Sequence, residues 1–375
     1  MKKDPFREYI KQSEPGLRDR GFAWHTAIGL QAVDGLAPSN YLVETAIQNI
    51  EGHITIDQAE QLLDSYYKEN SKDDNKDRTE EADKVSIRIA KILSENAFSF
   101  APTEYIAIHK KLFDGIYNHA GKVRDYNITK KEWVLDGETV IYGSASELQA
   151  TLEYDFSVEK SFSYKGLSTD EIISHLAFFV ARLWQIHVFA EGNTRTTAVF
   201  FIKYLKTLGF DVTNDIFAEN AWYFRNSLVR ANYNNLKKNI HGTTEYLEIF
   251  LRNLLLDEKN PLHNRAMHIS GIFDDFEKQD IYESKQDIQS RKQDIDVLDL
   301  FKIELEDTNF STKTIRNIEA LYNKYGNKTV FGRSDIIDVL KITASPASEL
   351  ISKLLKSEII MPVKGMGKGK YIFRT

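Results

Sequence analysis

No cysteine occurs in the 375 residues. That excludes disulfides, thiolate metal sites and a cysteine nucleophile, so any catalysis or metal binding must draw on histidine, carboxylates and hydroxyls. No stretch is long and apolar enough to span a bilayer, and the opening Met1-Lys2-Lys3-Asp4-Pro5-Phe6 lacks the apolar core of a signal peptide. The expectation is a cytoplasmic protein without membrane association. Positive charge is not in excess either. A net charge of -6 and a pI near 5.9 argue against wholesale coating of nucleic acid while allowing a local basic patch. The hydrophobic fraction of 42% is ordinary for a soluble chain, and the length suggests about two or three domains.

What is present is concentrated in one stretch, His187-Val188-Phe189-Ala190-Glu191-Gly192-Asn193-Thr194-Arg195, lying between the apolar segments Glu171 to Ile186 and Thr196 to Leu208. An imidazole can take a proton from a hydroxyl, and a carboxylate can hold a divalent cation. Gly-Asn-Thr-Arg at the mouth of a helix offers free backbone N–H groups and a cation to an anion. These parts suit a phosphate-bearing ligand with a metal, and a nucleophile that must lose a proton.

The stretch resembles the signature of the Fic family, H-x-F-x-(D/E)-G-N-x-R, with every specified position met by His187, Phe189, Glu191, Gly192, Asn193 and Arg195. A second landmark, Tyr117-Asn118-His119-Ala120-Gly121-Lys122-Val123-Arg124, resembles the upstream F-A-G-x-x-R element, with His119 in place of the aromatic. The resemblance covers roughly residues 85 to 256. It implies transfer of a nucleoside monophosphate, most often AMP from ATP, onto a Ser, Thr or Tyr hydroxyl of a protein target. His187 would then be the general base and Glu191 the Mg2+ ligand. Gly192, Asn193 and Thr194 would cradle phosphates, and Arg195 would neutralise departing pyrophosphate. Two departures stand out. Ala198 replaces a second arginine common in the family, and Thr194 replaces the usual glycine.

Other segments take their meaning from the same resemblance. Trp133 to Tyr142 carries an Asp136-Gly137 turn between β-prone runs, the pattern of a β-hairpin. The family has a target-docking flap there, which would place the docking edge within residues 130 to 143 and its side chains at Trp133, Val140, Ile141 and Tyr142. Ser168 and Glu171 read as a capping box opening the apolar helix that delivers the motif. A helix over residues 218 to 236 would line a nucleoside pocket, with Tyr223 or Tyr233 stacking on the base; aromatics at that spacing equally suit a core. Helical runs over residues 23 to 33, 41 to 50 (N-capped by Ser39) and 56 to 67 form an N-terminal lobe resembling a three-helix antitoxin segment. Asp34 and Glu51 are its inhibitory candidates, or else simply acids at exposed helix ends. Loss of the second arginine at Ala198 predicts that any autoinhibition acts by occlusion rather than through a charge pair.

Lys-Gln-Asp-Ile recurs at Lys278, Lys285 and Lys292 with too few apolar positions for a coiled-coil seam, and reads as a charged helical linker. Beyond it, helices at residues 311 to 325, 335 to 340 and 347 to 356 precede two short strands around a glycine- and lysine-rich tip, the pattern of a winged helix-turn-helix. Lys353 on the recognition helix and Lys364, Lys368 and Lys370 on the wing are the DNA-contact candidates; protein contact or dimerisation is the alternative use. The expected fold is mainly α, a Fic helical bundle with a β-hairpin flap plus the winged-helix domain. Its expected domains are 1 to 84, 85 to 260, 261 to 297 and 298 to 375. The leading function is a protein adenylyltransferase using ATP and Mg2+. The alternatives are a Fic-fold transferase with another nucleotide or phosphate donor, and a nucleotide-sensing, DNA-binding regulator, with a homodimer also open.

Overall fold

A computed structural model describes residues 5–11, 14–69, 76–270, 329–356, 359–363 and 369–373, with isolated residues between 314 and 325. The chain divides into two compact units, residues 1–274 and 275–375. The fold is mainly helical with one small sheet. No helix among the described residues is long and apolar enough to cross a membrane.

The first unit contains α1 (Arg7–Ile10), α2 (Pro15–Gly29), α3 (Asn40–Ile50), α4 (Ile56–Glu69), α5 (Lys76–Ser94), α6 (Pro102–Phe113), α7 (Leu148–Ser161), α8 (Thr169–Ile186), α9 (Asn193–Thr207), α10 (Ile216–Glu219), α11 (Ala221–Ala231) and α12 (Glu245–Leu256). Helix α2 starts earlier than its apolar spacing suggests, because Pro15 occupies its first turn, where a missing N–H is harmless. It ends at Gly29, where a Cβ would come 2.3 Å from the Ala218 carbonyl oxygen. The chain then tightens into a 3-10 turn, Leu30–Asp34, closed by Gly35 at positive φ.

Ser39 N-caps α3 by accepting from Leu42 N at 3.0 Å, as its sequence predicts. The same serine is held by buried Asp83 of α5, which takes its backbone N–H at 2.8 Å and also accepts from Tyr67 of α4 at 2.7 Å. One carboxylate thus ties three helices. Burial pushes its pKa up, and the bonds it accepts oppose that shift.

Helix α8 is the hub of this unit, with α7, α9, α11 and α12 packed on it. Its capping box forms through Ser168 and Glu171. Ile173, Leu176, Val180, Leu183 and Trp184 are buried, and each such side chain contributes about 1.5–3 kcal/mol. His175 on this helix is a satisfied core residue: its Nε2 lies 2.6 Å from Glu159 and its ring stacks on Phe162 at 3.4 Å. Helix α9 is buried all round from Asn193 to Leu205, which puts the motif at the junction of α8 with a wholly buried helix segment.

In the second unit, β1 (Phe331–Gly332) leads into α13 (Arg333–Leu340) and α14 (Ala344–Lys356), followed by β2 (Ile360–Pro362) and β3 (Lys370–Phe373). The antiparallel sheet has the order β1-β3-β2. Helix α14 begins before Ser345-Pro346, so Pro346 lies within its first turn. Ile336, Ala347, Leu354, Phe331 and Phe373 form a separate small core. The Lys-Gln-Asp-Ile repeat, Lys364 and Lys368 lie outside the described residues.

Candidate active site

His187 ends α8 in the left-handed conformation, φ 51° and ψ 58°. A non-glycine residue there carries strain of about 1–2 kcal/mol. Arg124, from the upstream landmark, offsets it. Its Nε donates to the His187 carbonyl at 2.7 Å and one terminal nitrogen to the Gly143 carbonyl at 2.6 Å, while its own backbone N–H reaches Val188 O at 3.0 Å. A cation at a helix C-terminus also suits the helix dipole. The sequence shows a basic tail after Gly121; the structure makes it the cap of the central helix.

The His187 imidazole is buried, and among the described residues neither ring nitrogen meets a partner in full hydrogen-bond geometry, the Trp184 carbonyl being the backbone group that favours its charged form. Its ring lies between Tyr142, with centroids 4.3 Å apart, and Trp184, 5.2 Å away and nearly perpendicular. Burial drives its pKa well below the ordinary range, and the positive charges of Lys130, Arg225 and Arg124 push the same way. The neutral form of the ring is therefore favoured.

The loop after it is tightly tailored. Asn193 Oδ1 accepts from Phe189 N at 3.0 Å and its Nδ2 donates to Phe189 O at 2.7 Å, so this side chain staples the turn. Gly192 has φ 77°, and a Cβ on it would lie 2.4 Å from Phe113. Thr194 Oγ1 accepts from Trp184 Nε1 at 3.0 Å. That bond gives Thr194 a job across the helix junction that a glycine could not do. His109 closes the loop from below: Gly121 N donates to its Nδ1 at 2.9 Å, which leaves Nε2 protonated to donate to the Glu191 carbonyl at 3.0 Å. The ring stacks on Phe189 at 3.7 Å, and burial lowers its pKa to about 4.

Glu191 itself is 56% exposed and pairs with Lys130 at 2.8 Å. A half-exposed carboxylate beside a turn that opens a helix has the chemistry of a Mg2+ ligand, since Mg2+ takes one or two carboxylates together with phosphate and water oxygens. Among the described residues no group of three or more His, Cys, Asp or Glu is arranged to hold a metal ion.

Arg195 is only 1% exposed, and protein groups surround its guanidinium. Nε lies 2.8 Å from Asp34, NH1 donates to Gln31 at 3.0 Å, and NH2 donates to Glu81 at 2.6 Å and to the Tyr117 hydroxyl at 3.2 Å. The guanidinium carbon lies 4.8 Å from the Phe113 ring centre. Burial alone would lower its pKa, but Asp34, Tyr117 and Glu81 outweigh it and raise the value. A charge pair forms even without a second arginine, because Asp34 reaches Arg195 itself. Glu51 instead accepts from Tyr9 at 2.6 Å and faces His53.

Two further expectations change. The segment over residues 130 to 143 has the Asp136-Gly137 turn, both residues at positive φ, but Trp133–Leu135 forms a 3-10 turn and the arms carry no strand ladder. A backbone bond from Glu132 N to Glu138 O at 3.0 Å closes it, and side chains anchor it: Glu132 buries inward, and Glu138 pairs with Lys238 at 2.5 Å. Of the flap candidates, Val140 and Tyr142 are buried, Trp133 packs edge-on to His268 at 5.1 Å, and Ile141 is 82% exposed. The helix expected over 218 to 236 breaks into α10, α11 and a 3-10 turn at Leu236–Lys238. Tyr223 is buried against Phe250, and the Tyr233 hydroxyl bonds Glu138 and Asn235, so neither ring is open to stack on a base.

Residues 99–205 match the family model described as Fic/DOC family, so the chain carries a Fic/DOC domain. The protein adenylyltransferase VbhT of Bartonella schoenbuchensis is 29% identical over 108 residues, 29% of this chain and 21% of that protein, so the chain spans about a fifth of this relative's length. A crystal structure of a Fic family protein from Desulfovibrio desulfuricans G20 aligns over 98% of this chain and 92% of its own, at 11% identity and a TM-score of 0.42.

Proposed function

We propose that the protein is an adenylyltransferase that moves AMP from ATP onto a Ser, Thr or Tyr hydroxyl of a target protein. The observation that carries this reading is His187, a buried imidazole whose nitrogens meet no full hydrogen bond among the described residues, adjoining a turn that opens α9 within the matched family segment. The relative that is a protein adenylyltransferase supports the choice of reaction. His187 takes the proton of the target hydroxyl, a role worth about 10²- to 10⁴-fold in rate. The hydroxyl oxygen bonds the α-phosphorus, the bond to the bridging oxygen breaks, and pyrophosphate leaves. The backbone N–H groups at Gly192, Asn193 and Thr194 receive phosphate oxygens at the helix N-terminus. A Mg2+ ion held by Glu191 supplies charge neutralisation there when bound. Arg195 meets the departing pyrophosphate once Asp34, the more exposed of its carboxylate partners, gives way. Ile141 marks the edge that receives the target.

The second unit, in this reading, is a winged helix. Its helix pair, followed by a hairpin on a three-stranded sheet, supports the assignment. Lys353, half-exposed beside Glu349, and Lys370 would meet phosphates of DNA.

Intact-mass spectrometry of the protein and its His187→Ala variant after incubation with ATP and Mg2+, with and without lysate, tests the main reading. An AMP-sized adduct that requires His187 is expected. ATP binding without any labelling would instead favour a nucleotide-sensing regulator, and a different added mass would favour another donor.

A further inference from the structure

His187 lacks the carboxylate that usually orients a histidine base, so its ring must be aimed by packing. The imidazole packs against the Tyr142 ring, centroids 4.3 Å apart and planes tilted by 43°, and what holds Tyr142 is unusual. Its hydroxyl donates at 3.0 Å to Glu132, whose side chain is 0% exposed. The other Glu132 oxygen lies 2.7 Å from Arg225 of α11, and that guanidinium sits 5.1 Å from the Trp222 ring centre.

Removing a carboxylate from water costs several kcal/mol, and a buried ion pair is weak evidence for stability alone. A hydrophobic pair would fill this space at least as well. The pair has no part of its own in the transfer, yet Glu132 accepts from Tyr142, the residue packed against the His187 ring. Neighbouring tethers converge on the same spot: Gln185 Nε2 donates to Ile141 O at 3.1 Å, and Gly143 N donates to Gln185 O at 3.2 Å.

We infer that Glu132, Tyr142 and Arg225 form a positioning relay that docks the segment over residues 130 to 143 onto α11 and thereby fixes the plane of the His187 ring. Tyr142 and Glu132 are positioning residues, acting through His187 without touching substrate. The relay rests on the reading of His187 as the base.

Tyr142→Phe tests it, since it keeps the ring and removes only the bond to Glu132. The expected result is a kcat for AMP transfer lower by about ten- to a hundred-fold, with KM for ATP unchanged, because a slightly misaimed base loses rate and not affinity. The His187 imidazole ¹H–¹³C resonance should move in the nucleotide-free protein. Glu132→Gln, whose amide oxygen still accepts from Tyr142, should lose less kcat than Tyr142→Phe. If Tyr142→Phe leaves both kcat and the His187 resonance at their wild-type values, the relay is wrong, even if the melting temperature falls. A moved resonance in a protein that labels nothing would overturn the transferase reading and leave the relay standing.

Discussion

Asp34 Oδ2 lies 2.8 Å from Arg195 Nε, joining the turn after α2 to the last residue of the motif. Asp34 is 36% exposed while Arg195 is buried, so the pair has one solvated and one desolvated partner. Such a contact is worth no more than a surface ion pair, about 0.2–1 kcal/mol. Replacing Asp34 with Ala should therefore tighten binding of a non-hydrolysable ATP analogue by about two- to five-fold and raise labelling to match. Calorimetric titration of the variant checks this. Unchanged affinity and labelling would remove Asp34 from any inhibitory role.

Glu81 should behave differently. It is 18% exposed and holds Arg195 at 2.6 Å while accepting from Tyr117 at 2.6 Å. Glu81→Ala leaves a buried guanidinium short of charge, and the expected loss is about 1–3 kcal/mol of stability, read by urea denaturation.

Gly192→Ala combines a φ of 77° with a Cβ lodged against Phe113. The left-handed strain and the overpacking together should cost about 2–4 kcal/mol. Phe113→Leu, added to it, should recover only part of the loss, because the strain remains. Urea midpoints of the single and double variants separate the two contributions.

His109 gives the stability a defined pH dependence. Its folded pKa, about 4, lies below the ordinary value of 6.5, so folding favours the neutral ring that accepts from Gly121. The stability this represents is fully present above about pH 6.5 and is lost as the pH falls towards 4, up to roughly 3 kcal/mol. The stability difference between wild type and His109→Gln should shrink across that window; a difference that stays flat would count against a neutral, bridging His109.

Lys130 competes for Glu191. With the lysine gone, as in Lys130→Met, a divalent cation meets a free carboxylate, and Mn2+ affinity measured by electron paramagnetic resonance with a bound ATP analogue should rise about two- to five-fold.

The local chemistry of this protein was legible and its long-range pairings were not. Ser39, Ser168 with Glu171, and the Asp136-Gly137 turn signal themselves within a few residues, and each forms. The motif announces its histidine and its glycine for the same reason. Lys130, Glu132, Glu81 and His109 read as ordinary polar residues, because their partners lie at Glu191, Arg225, Arg195 and Gly121, and only the packed helices bring them together. Arg124 hid as a basic residue after a helix stop, since the carbonyl groups of Gly143, Ile186 and His187 that it meets are distant in sequence. The flap misled through β-propensity: Val134, Leu135 and Val140 are apolar because they are buried, not because they pair as strands.

The enclosure of Arg195 also decides where this chain can be cut. Gln31 and Asp34 come from the turn after α2, Glu81 from α5 and Tyr117 from the segment after α6. A fragment starting near residue 85, the natural choice for anyone isolating the matched domain, would keep the arginine and discard three of the four polar side chains described around it. Removing the partners of a buried charge typically costs about 3–5 kcal/mol, a large share of a domain's whole stability. Gln31, Asp34 and Glu81 thus belong to the interior around the motif, and an expression clone lacking them should yield aggregate instead of a deregulated enzyme.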